Sequence, residues 1–115
     1  MDTYYEFLAF SLAKEPVEVF RTFGYKWLCN YQEHPILKYQ IDVGWQEITD
    51  EPGGPQHPFE ANLFEREITV ADAAYDGVGA KRVVVRVRPK KLGRVDAWLS
   101  RDVVTFEALI VEGPK

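Results

Sequence analysis

The spacing of apolar residues changes once along this chain, and the change divides it into two kinds of structure. Up to about Tyr31, apolar side chains recur at intervals of three and four, the period of a helix. From Lys38 onward they recur at every second position, the period of a strand with one buried face. Tyr39, Ile41, Val43 and Trp45 alternate with Gln40, Asp42, Gly44 and Gln46. Further on, Val83, Val85 and Val87 alternate with Arg82, Val84, Arg86 and Arg88. Helices that come first, followed by strands joined through turns, argue against a parallel sheet, which needs a crossover between strands. The order predicts an α+β fold, with two N-terminal helices packed on a four- to five-stranded antiparallel sheet. At 115 residues the whole chain, 1–115, forms a single α+β domain.

Thr3-x-x-Glu6 is a capping-box pattern, so a first helix is expected from Tyr4 to Lys14. It is apolar over much of its circumference, which predicts that it is largely buried. Glu15-Pro16 interrupts it, and proline suits the first turn of a new helix. A second helix is expected from Pro16 to about Asn30, where asparagine is a stop signal and His34-Pro35 closes the segment.

Strands are expected over Tyr39–Trp45 and Phe59–Val70, the second with a switch of facing near Leu63-Phe64. Between them, residues 50–58 hold three prolines and two glycines and read as an exposed loop. Asp76-Gly77 is a turn signal, and the valines at 83, 85 and 87 mark the cleanest strand. A turn at 89–93, a short strand at 95–99 and a tight connection at 100–102 lead into a final run, Val103–Glu112. There Val104, Phe106, Ala108 and Ile110 share one face. That run is apolar enough to pair with a second chain if it lies at a sheet edge, which would give a homodimer through the C-terminal strand.

Charge is segregated along the chain. Residues 1–80 carry fourteen acids against five bases, whereas Lys81–Arg94 carries seven bases and no acid. The net charge of −4 disfavours general attraction to nucleic acid or anionic membrane. The apolar run Phe7–Ala13 follows Asp2 and Glu6 rather than basic residues, which argues against an export signal. No run approaches the length of a membrane span. One cysteine, Cys29, excludes an intrachain disulfide and fits a reducing compartment, so the expectation is a cytoplasmic protein without a membrane partner.

Few catalytic chemistries find residues here. His34, His57 and Cys29 stand at no metal-binding spacing, so no metal is expected. Gly53-Gly54 and Gly77-Val78-Gly79 lack the strand-to-helix setting of a phosphate-binding loop, and no cofactor is expected. Cys29, on an apolar helix, reads as a small core residue rather than a nucleophile. Asp42, Glu47 and His57 are the acid–base candidates, but Asp42 falls on the polar parity of its strand and reads as solvent-facing. No catalytic residue is assigned, and the chain reads as a non-enzyme.

The basic stretch is the remaining signal. Arg82, Arg86 and Arg88 project from one face of a strand and need a counter-charge. Glu60, Glu65, Glu67 and Glu107 on neighbouring strands would supply it internally; an acidic partner would supply it from outside. The expected partner-binding residues are Arg82, Arg86, Arg88, Lys90, Lys91 and Arg94. Three functional readings follow. The first is a small protein-binding module, of the inhibitor, immunity or accessory kind, that acts through segregated acidic and basic surfaces. The second is a small-ligand-binding or enzymatic α+β cone-shaped barrel, its apolar pocket lined by Phe20, Trp27, Tyr39 and Trp45. The third is a phosphate or nucleic-acid binder using residues 81–94; the absence of interleaved aromatics there ranks it last.

Overall fold

The computed structural model describes residues 2–36, 39–48, 59–90 and 103–113. Helix α1 spans Asp2–Phe23 and the short α2 spans Tyr25–Cys29. Then come β1 (Gln46–Glu47), a 3-10 turn at Phe59–Leu63, β2 (Phe64–Tyr75), β3 (Val78–Pro89) and β4 (Val104–Val111). The strands form one antiparallel sheet in the order β1-β2-β3-β4, with the helices against one face. This is the α+β class expected from the order of periodicities. Among the described residues, no helix is long and apolar enough to cross a membrane.

The sheet is built on the β2–β3 hairpin. Its turn is Asp76-Gly77, with φ of 54° and 80°, and Tyr75 pairs with Val78 across it. Two consecutive positive φ values are what a two-residue type I′ turn needs, because its twist matches that of the strands. The register then runs unbroken to Phe64 opposite Pro89. Val83, Val85 and Val87 are fully buried under α1, together with Phe64 and Phe20. Each such side chain contributes about 1.5–3 kcal/mol through removal from water. On β4, Val104 and Ile110 are buried, with Phe106 and Ala108 packed against the same core.

Several expected boundaries move. The first helix does not end at Lys14; it runs through Pro16, whose ring is fully buried. Proline at position 16 removes the N–H that would bond the Leu12 carbonyl. Arg66 fills the gap from β2: its Nη1 donates to Leu12 O at 3.0 Å and to Glu15 Oε1 at 3.1 Å. The break falls instead at Gly24, whose φ of 92° ends α1 and begins α2. Helix α2 stops at Cys29 with Asn30 as its C-cap. The helix already includes Asp2 and Thr3, so it begins before the Tyr4 start that the Thr3–Glu6 pattern suggested.

The second correction concerns Tyr39–Trp45, which is a loop rather than a strand; Gln46 and Glu47 are the residues in ladder register with β2 among those described before residue 49. Asp42 and Gly44 take φ of 62° and 86°, outside the extended region of regular strand. Tyr39 and Ile41 still reach the core, which explains their apolar spacing. Residues 59–63 likewise form a 3-10 turn, and the strand begins at Phe64, where the sequence showed a change of facing. The expected loop at 50–58, the strand at 95–99 and the connection at 100–102 lie outside the described residues. Helix α1 is also less covered than its composition suggested: Phe7 is 68% exposed, and Tyr4 and Phe10 are more than 40% exposed.

Candidate functional site

The cross-strand register decides where the basic residues go. Opposed residues of an antiparallel pair share a face. Arg86 lies opposite Glu67 and Arg88 opposite Glu65, all on the sheet face away from α1. Arg88 Nε donates to Glu65 Oε1 at 2.9 Å, and Arg86 Nε to Glu67 Oε1 at 2.8 Å. Arg82 pairs with Glu107 of β4, and Lys90 Nζ lies 3.7 Å from Glu47. Of the four carboxylates expected as counter-charges, Glu65, Glu67 and Glu107 serve, Glu60 accepts from the Tyr4 hydroxyl instead, and Glu47 joins them beside Lys90. Trp45 lies over this ladder, its ring centre 4.0 Å from the Arg88 guanidinium carbon and 5.3 Å from that of Arg86. Lys91 and Arg94 lie outside the described residues.

Lys81 is on the other parity and pairs with Asp72 at 2.5 Å. This contact holds the Asp72 carboxyl below the usual carboxylate range and pushes the Lys81 ammonium up, chiefly through their hydrogen bond. Nearby, Tyr25 is raised by its hydrogen bond with Cys29 and then by burial. Cys29 itself is exposed, not the core residue expected from its helix. On the inner face of the sheet, burial pushes the Arg66 guanidinium down, and Glu15 opposes that shift. Arg66 also lies 5.1 Å from the centre of the Tyr39 ring.

The four expected pocket residues divide. Phe20 packs on Trp27 at 5.4 Å and on Tyr39 at 6.2 Å between ring centres. Trp45 is with the arginines on the opposite face. An apolar cavity of about 330 Å³ opens beside Trp27 and Tyr39, lined further by Tyr31, Ile36, Ile41 and Val43. Phe20 is sealed beneath it. The Tyr31 hydroxyl at its rim donates to Asp42 Oδ2 at 3.2 Å, and burial with the neighbouring Asp42 charge raises this phenol. One Asp42 oxygen thus holds the Tyr31 hydroxyl, and the other faces the Val70 amide. Among the described residues, no group of His, Cys, Asp and Glu converges as a metal site.

The two edges of the sheet differ, a feature that sequence periodicity does not reveal. Asp42 covers the β2 edge: its N–H donates to Ile68 O at 2.8 Å and its carboxylate accepts from Val70 N–H at 3.4 Å. Among the described residues, β4 is the other edge and pairs only with β3. Glu112 N–H donates to Gly79 O at 3.0 Å. By alternation, the backbones of residues 104, 106, 108 and 110 also turn toward β3, and those of Thr105, Glu107, Leu109 and Val111 turn outward. The strand contains no lysine, proline or bulge to guard this edge. Phe10 of α1 packs edge-on against Phe106 of β4 at 5.5 Å, so an exposed aromatic flank borders the strand. No protein-family model, characterised protein or solved structure matches this chain.

Proposed function

We propose that this chain is a small non-enzymatic protein-binding module, of the inhibitor, immunity or accessory kind, whose contact surface is the outer edge of β4 with the α1 flank beside it. The observation that carries this reading is the contrast between the sheet edges. One is capped by Asp42, and the other, among the described residues, presents outward-turned backbone at Thr105, Glu107, Leu109 and Val111. Strand addition to such an edge obtains affinity from main-chain hydrogen bonds and specificity from alternate side chains. Arg82, Arg86, Arg88 and Lys90 already have carboxylates of their own chain. On this reading they shape the outer face and its selectivity more than they supply affinity. The same reading assigns the protein to the cytoplasm, where its exposed Cys29 stays reduced.

Leu109→Pro tests it. Proline removes an N–H that turns away from β3 and is tolerated on edge strands. The variant should keep its far-ultraviolet circular dichroism and lose protein association, whether with itself or with chains captured from host lysate. Equal association by wild type and variant would sink the reading.

The cavity beside Trp27 and Tyr39 favours a second reading, a binder of small apolar ligands. Quenching or a blue shift of tryptophan fluorescence with a small aromatic probe, abolished by Ile41→Trp, would support it; an unchanged spectrum would remove it.

A further inference from the structure

We propose that the occupant of the β4 edge is β4 of a second copy, paired antiparallel about a two-fold axis through Ala108. The proposal rests on the reading of that edge as the contact surface and adds the partner and the register. Both come from symmetry. In a two-fold antiparallel pair, each residue meets the one equally far on the other side of the axis. The outward-turned residues Thr105, Glu107, Leu109 and Val111 are placed symmetrically about Ala108. With the axis there, Thr105 meets Val111 and Glu107 meets Leu109 in hydrogen-bonded pairs, and every outward N–H and C=O of the strand is used. An axis through Glu107 would set that carboxylate against its own copy, a like-charge contact that destabilises. An axis through Leu109 leaves Thr105 without a counterpart in the strand.

Side chains agree with this register. On the face covered by α1, Phe106 meets Ile110, an aromatic against a β-branched residue, and Ala108 meets Ala108. On the other face, Glu107 is the strand's only charge and is held by Arg82 of its own chain, so the edge carries no unpaired charge that repels its copy. The two sheets become one, with both α1 helices on the same side of it. The Phe10–Phe106 contact of each protomer then borders the joint. A foreign strand would have to reproduce this apolar pattern; a second copy has it already.

The test is sedimentation equilibrium of the purified full chain over a range of concentrations, alongside two variants of one position. The wild type should show twice the 13.3 kDa of one chain. Leu109→Glu sets two carboxylate pairs across the joint and should weaken the dimer about tenfold. Leu109→Lys sets lysine opposite Glu107 twice and should tighten it by a similar factor. In a Cys29→Ser background, Ala108→Cys should form a disulfide-linked dimer on mild oxidation, because non-hydrogen-bonded pairs on the axis lie within disulfide reach. Thr105→Cys in that background should not. A wild type of single mass at every concentration overturns the proposal. If Leu109→Pro still abolishes capture of foreign chains in that case, the edge reading survives without the dimer. A dimer that ignores the charge at 109 and does not crosslink through 108 overturns the register.

Discussion

Arg66 supplies from the sheet the hydrogen bond that Pro16 withholds inside α1. The Leu12 carbonyl, four residues before the proline, accepts from the Arg66 guanidinium at 3.0 Å, and Glu15 receives the same nitrogen at 3.1 Å. Arg66 is 4% exposed, so its charge depends on those partners. This arrangement lets a proline sit deep in the core of a continuous helix while the helix remains docked on β2.

Arg66→Met is therefore expected to cost about 3 kcal/mol, the range for removing one member of a buried pair. The informative experiment is a double-mutant cycle with Pro16→Ala. Alanine restores an N–H able to reach Leu12 O, so Arg66→Met should cost about 1 kcal/mol less in that background. Urea midpoints of the four proteins measure it. Strict additivity would show that the arginine and the proline act independently.

How much of this was legible in the sequence depends on range. The Asp76-Gly77 turn, the buried valines of β3 and the inward face of β4 follow from neighbours a few residues apart, and the sequence predicts them. For the arginines the spacing leaves internal and external carboxylates as alternatives: Glu65 and Glu67 are spaced by two, as are Arg86 and Arg88, and the hairpin register brings the internal set opposite them. The continuity of α1 through Pro16 depends on Arg66, fifty residues away. A signal for it did exist, since Arg66 sits on the apolar parity of Phe64 and Ile68. Tyr39–Trp45 misleads because a loop with Tyr39 and Ile41 in the core and Trp45 on the outer face mimics strand alternation. That β4 is the outer strand among the described residues is a property of sheet order, which no local pattern encodes.

Asp42 combines a left-handed backbone with two roles at the β2 edge. Asn tolerates that backbone and keeps a side-chain acceptor; alanine does neither. Asp42→Asn should be nearly neutral, and Asp42→Ala should cost about 2 kcal/mol from strain and lost hydrogen bonds. The Val70 amide should exchange with solvent much faster in the alanine variant, and the uncovered edge should make that variant more prone to aggregate. Unchanged exchange at Val70 would refute the edge-cap role.

The Asp72–Lys81 pair gives stability a defined pH window. Asp72 is depressed in the folded state, so its contribution is present above the unfolded value of about 3.9 and is lost as pH falls through the lower folded value. Lys81 is raised, so its contribution is present below about 10.4 and is lost as pH rises through the higher folded value. The difference in melting temperature between wild type and Asp72→Asn should thus be level from about pH 5 to 9 and shrink on both sides. Carboxyl carbon shifts followed by NMR should show Asp72 titrating below its ordinary range, and Lys81→Met should return it. A normal Asp72 midpoint in the wild type would count against the pair.

The outer-face arginines set the last expectation. A polyanion gains affinity from cations that it can neutralise, and its binding then falls steeply with salt. Arg82, Arg86 and Arg88 are each already matched to a carboxylate of the same chain, and Trp45 lies over two of them. A phosphate would have to displace Glu107, Glu67 or Glu65 while their charges stayed nearby. Labelled single- and double-stranded oligonucleotides should therefore give no salt-sensitive rise in anisotropy with the wild type. Glu65→Gln with Glu67→Gln removes the competitors and should create weak, salt-sensitive binding at low ionic strength, with stability lowered by about 1 kcal/mol or less per exposed pair. Tight wild-type binding that is lost on changing Arg86 and Arg88 to Glu would instead make nucleic acid the partner, and would show that the carboxylates yield to phosphate.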